Sequence, residues 1–111
     1  MEGFDHQMRS WAKPADVEPG TGVAEQLSLM GSVARGEIAG PDFARAWLAA
    51  RRRALAGGER VREKFDHVLD QVFYTIEDYT IDPDLRDESD MSDDELVDRV
   101  REALTELQTL S

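Results

Sequence analysis

The stretch VREKFDHVLDQVFYTIEDY, residues 61–79, decides the fold. Its apolar residues are Val61, Phe65, Val68, Leu69, Val72, Phe73 and Ile76, spaced three or four residues apart or paired at one. That spacing returns a side chain to the same side of a 3.6-residue helix and forms one packed face. No period-two alternation competes with it. A helix is expected over about 59–79, and Pro83 forbids its continuation.

The same period extends outward in both directions. Ser92-Asp93-Asp94-Glu95 reads as a capping box, in which Ser92 and Glu95 satisfy each other's end amides. It opens a last helix whose apolar stripe is Leu96, Val100, Ala103, Leu104 and Leu107. Upstream, Phe43, Ala46, Trp47, Ala50 and Ala54 form the stripe of a helix over about 41–56. Pro41 suits its first turn, and Gly57-Gly58 suits its end. A further helix over about 22–36 places Val23, Leu27, Met30 and Ala34 together. Residues 1–20 contain Pro14, Pro19 and Gly20 and show no apolar face, so they are expected as a disordered tail. The expectation is an all-α, antiparallel four-helix bundle over 21–111 with a flexible N-terminal tail.

Length and composition narrow the function classes. The chain has 111 residues, enough for one domain. It lacks cysteine, which removes disulfides, thiolate metal sites and a cysteine nucleophile. No leader pattern and no membrane-length apolar run are read, so a cytoplasmic location is expected. Charge is the dominant property: 24 acids stand against 13 bases, a net of −11. Residues 63–111 hold sixteen acids and four bases, whereas residues 1–62 are nearly balanced. Such a surface repels nucleic acid and lipid headgroups and attracts basic proteins.

At about 100° per residue, Glu63, Asp66, Asp70 and Glu77 cluster on one side of the third helix. Glu95, Asp98, Glu102 and Glu106 form a comparable stripe on the fourth. Asp82, Asp84, Asp87, Glu88 and Asp90 fill the connection, and all three groups are expected to join into one negative surface. Like charges crowded this way oppose folding, which favours a binding role over simple solubility. Acids next to Ser92 have a structural explanation, since they favour the positive end of a helix.

Catalytic and metal-binding patterns are weak. His6 and His67 cannot complete a metal site together. The acids from Asp82 to Glu88 miss the calcium-loop pattern, with Arg86 at the fifth position and Asp87 where glycine is needed. No phosphate-cradling glycine loop and no nucleophile elbow occurs. No cofactor, no metal and no enzymatic activity are expected. The triplet Arg51-Arg52-Arg53 suits internal ion pairs or the negative end of its helix better than RNA binding.

Gly36-Glu37-Ile38 leading to Asp42-Phe43, and then Arg51-Arg52-Arg53, resembles the second-helix signature of colicin D-type immunity proteins. Val72-Phe73, Glu77, Tyr79 and Asp82-Pro83-Asp84 are similar to the third helix of that family and its acidic turn. Leu96, Val100-Arg101 and Leu104 resemble its closing helix. The likeness covers residues 23–107. It implies a four-helix bundle that blocks a tRNA-cleaving toxin domain, one protein per toxin, with carboxylates occupying the basic cleft. Glu77, Asp82 and Asp84 fall on the motif as partner contacts, and Asp78, Asp87 and Glu88 adjoin them. The implied partner is a basic nuclease toxin domain; direct contact with nucleic acid or membrane is not expected. Two readings from other classes stay open: an acidic adaptor or nucleic-acid mimic for another basic protein, and a helical domain whose acids only solubilise it.

Overall fold

The computed structural model describes residues 9–79, 85 and 91–110. It begins with a short strand, β1 (Arg9–Trp11), followed by one turn of 3-10 helix at Pro14–Asp16. Then come α1 (Gly22–Ala34), α2 (Gly40–Ala56), β2 (Glu59–Val61), α3 (Glu63–Asp78) and α4 (Asp93–Gln108). The fold is all-α in its bulk, with α1 against α2 and α4, and α3 against α4. No helix among the described residues is long and apolar enough to cross a membrane.

The helix ends follow local chemistry where the sequence supplies it. The capping box at α4 forms, with Ser92 Oγ accepting from the Glu95 amide (3.1 Å) and Glu95 Oε1 from the Ser92 amide (3.2 Å). Pro41 stands in the first turn of α2, and Gly58 ends it with a left-handed φ of 78°.

The core runs through all four helices. Trp47, Phe43, Phe65, Met30, Leu96, Val33 and Val100 are its largest fully buried side chains. Burying each is worth roughly 1.5–3 kcal/mol before entropy is counted. Trp47 packs as expected, although its indole N–H has no hydrogen-bond partner among the described residues. The stripes turn slightly from their expected positions. Val33 and Gln26 are buried on α1 where Ala34 and Leu27 are half-buried, and Ala44 replaces Ala46 on α2. Gly22 makes the closest approach. A Cβ there would lie 2.7 Å from the Ala50 carbonyl and 2.8 Å from Ala54, so only glycine lets α1 rest on α2.

Two differences from the sequence reading share one cause. Residues 59–61 are not the start of α3 but a strand, parallel to β1, with Trp11 opposite Val61. Trp11, expected within a tail, is buried against the core. A three-residue strand shows no alternation of its own, and its partner lies fifty residues away. β2 passes directly into α3, and Glu63 takes a positive φ of 26° at that junction.

Both ends of α1 receive partners from far along the chain. Glu59, only 8% exposed, turns its carboxylate onto the start of α1. Its oxygens accept from the Gly22 amide (3.0 Å) and the Val23 amide (2.9 Å). Negative charge at a helix start is favourable because the first amides have no partner within the helix. Thr21 adds a cap on Ala24 (3.2 Å). At the other end of α1, Arg101 from α4 donates to the Ala34 carbonyl (2.8 Å).

Candidate functional site

Among the described residues, three places on the helices gather acidic side chains, set by which neighbour each helix face meets. The first lies between α2, β2 and α3. Asp66 and Asp70 line a concavity there with Arg51 and Glu59. Arg51 stands 3.7 Å from Asp70 and stacks 4.2 Å over the Phe73 ring. Partial burial raises the Asp66 pKa, and the neighbouring Asp70 charge adds to the rise; Arg51 and His67 oppose it. Arg53 bonds Glu25 across the α1–α2 pair. Arg51 and Arg53 of the triplet therefore pair within the fold, as expected, with exposed Arg52 outside any ion pair among the described residues.

The second environment surrounds the end of α1, where Asp98 lies 3.9 Å from Arg101 and Arg35 pairs with Glu37 at 3.0 Å. The third is a groove between α3 and α4 with a volume of about 350 Å³. Asp78, Tyr74 and Gln71 line it from α3, and Arg99, Glu102 and Glu106 line it from α4. Three carboxylates face one cation. None of the three takes part in an ion pair among the described residues, and neither does Arg99. Tyr74 is 63% exposed beside them, its ring edge-on to Phe73 at 5.5 Å.

The expected single surface thus divides. Asp66 and Asp70 on α3 look toward α2 and β2, whereas Glu63 lies beside Ala12 and Lys13 at the start of that helix. Glu102 and Glu106 come together with Asp78 instead. Glu77 is exposed on α3 but does not line the groove, because one residue turns the side chain by about 100°. Asp82, Asp84, Asp87 and Glu88 lie outside the described residues. Sequence reasoning missed Tyr74 as a surface aromatic: it stands beside Phe73 at the edge of the apolar stripe, and only the packing separates the two. It also missed Glu59, whose acid sits in a region of nearly balanced charge.

The carboxylates of the groove are open to solvent and its aromatic is exposed, which suits contact with a charged partner. A family model described as bacterial self-protective colicin-like immunity matches residues 22–107. The chain belongs to this family. An immunity protein of this kind binds a bacteriocin toxin and inhibits it, and the family is one of inhibitors rather than enzymes. The match spans α1, α2, β2, α3 and all but the last residue of α4, and it begins after β1 and Trp11. No curated protein and no solved structure matches the chain significantly.

Proposed function

We propose that this immunity protein neutralises a tRNA-cleaving toxin domain of the colicin D type in the cytoplasm, as a 1:1 complex. Its carboxylates take the place of RNA phosphates in the toxin's basic cleft. One observation carries the reading: among the described residues Asp78, Glu102 and Glu106 line the α3–α4 groove together and none of them forms an ion pair, whereas Asp70, Glu25 and Asp98 each stand against an arginine. A ribonuclease must hold several cations where its substrate lies, and fixed carboxylates match that field. Glu77 and Asp78 end α3 at the edge of the connection that carries Asp82, Asp84, Asp87 and Glu88. These six residues form the proposed contact set, with Glu102 and Glu106 extending it along α4. Opposite charges also speed encounter, which matters when free toxin is lethal to its producer.

The test is co-expression with colicin D-type ribonuclease domains, including any encoded beside this chain. Rescue of growth and of intact tRNA is expected for the cognate domain. Rescue from a pore-forming or DNA-cleaving toxin, with none from a tRNase, overturns the proposal. Within a rescued pair, Glu77→Lys with Asp82→Lys should weaken binding at unchanged helicity, and added salt should slow association.

A further inference from the structure

We infer that Tyr79 and Asp93 are positioning residues for the acidic groove: the hydrogen bond between them fixes α3 against α4 along the partner-binding face. The inference rests on the reading of that groove as the face that meets the toxin.

Tyr79 is the residue at which α3 ends, directly after Asp78, and its backbone amide bonds back to Thr75 and Ile76 at 3.1 Å. Asp78 therefore moves with it. The ring is 2% exposed, and its hydroxyl donates to Asp93 Oδ1 at 2.6 Å. Asp93 is the first residue of α4. The bond thus ties the last turn of α3 to the first turn of α4, at the end of the groove that Asp78 occupies. A hydroxyl-to-carboxylate bond of this length is charge-assisted and stronger than a neutral one. A second wall backs it. Gly40 in α2 faces both groups, and a Cβ at Gly40 would come within 2.6 Å of the Tyr79 oxygen and 3.2 Å of Asp93 Oδ1. The absent side chain leaves a notch that accepts the hydroxyl.

Around this bond the core holds apolar side chains of both helices, such as Val72, Ile76, Leu96 and Val100. Apolar attraction has no direction, so it tolerates small sliding between helices. The Tyr79–Asp93 bond does not. An acid anywhere in the first turn of α4 would suit the helix dipole, and Asp94 and Glu95 already do so. What Asp93 adds is a tether, and the tether sets how far Asp78 stands from Glu102 and Glu106.

Tyr79→Phe keeps the ring and removes the hydroxyl. In the full chain, helicity should stay unchanged. Affinity for the toxin domain that this chain neutralises in the co-expression test should fall about tenfold, which is about 1.4 kcal/mol. Asp93→Ala should match that loss, and Asp93→Asn, which still offers an acceptor, should recover most of it. In an Asp78→Asn, Glu102→Gln background, Tyr79→Phe should cost less than twofold, because the acids it positions are gone. An equal loss in both backgrounds overturns the positioning role in favour of a general effect on the fold. If the Asp78→Asn, Glu102→Gln pair alone leaves affinity unchanged, the groove is not the partner face, and the underlying reading fails. The free protein supplies a separate check by nuclear magnetic resonance. Tyr79→Phe should shift contacts between α3 and α4 while leaving those between α1 and α2 in place. Unchanged groove contacts in that variant overturn the inference whatever the binding shows.

Discussion

The two faces of α3 treat the same kind of charge in opposite ways. Toward α2, Asp70 meets Arg51, and Arg51 in turn covers Phe73. Toward α4, Asp78 meets Glu102 and Glu106, with Arg99 beside them and no ion pair among the described residues. The first arrangement serves the fold, although partly exposed pairs of this kind contribute only about 0–1 kcal/mol each. The second works against the fold, because like charges repel even across a wet groove. Acidity by itself therefore does not distinguish the two faces of α3; what differs is whether an arginine answers it.

The sharpest way to break this comparison is to reverse the groove. Asp78→Lys with Glu102→Lys and Glu106→Lys should weaken toxin binding about a thousandfold, roughly 4 kcal/mol. Stability to denaturant should change little. A large stability loss with intact affinity would place the groove with the structural face. Glu59→Ala tests the other side. Two amides of α1 lose their acceptor, so unfolding free energy should drop by about 2–3 kcal/mol in urea titration, with toxin affinity unchanged once the protein is folded. Arg51→Ala should cost only about 1 kcal/mol by the same measurement, the combined worth of an exposed-to-half-buried pair and a ring contact. The smallest effect concerns Asp66. Burial holds its pKa above the ordinary carboxylate value, so the folded state binds this proton more tightly than the unfolded chain. That stabilisation is present at low pH and is lost as pH rises from the unfolded pKa through the folded one. Asp66→Asn should therefore raise Tm slightly at neutral pH and give no gain near about pH 3, below the ordinary carboxylate range.

Much of the fold was legible because its signals are local. The apolar spacing from Phe65 to Ile76 survives as a buried face, and Ser92 with Glu95 makes the cap that their spacing promises. Val61 misled for a physical reason: it fits the helical period of α3, yet pairing with Trp11 drew residues 59–61 into a strand. Nothing local to Glu59 or Arg101 says that each will close one end of α1. The site divides in the same way. The excess of acid in residues 63–111 is plain in the sequence. A helical period, however, gives directions about one helix axis only, and cannot say that Asp70 will look at α2 while Asp78 looks at α4.

The anchoring of α1 also bears on how the molecule comes apart. Its first amides depend on Glu59, some 37 residues downstream, and its last carbonyl on Arg101, 67 residues downstream. Thirteen residues are too few to hold a helix by themselves in water. A synthetic peptide of residues 22–34 should be a coil, and no stable fragment ending before Glu59 should retain α1. Denaturation is accordingly expected as a single cooperative transition, in which the first helix in the chain melts together with the last.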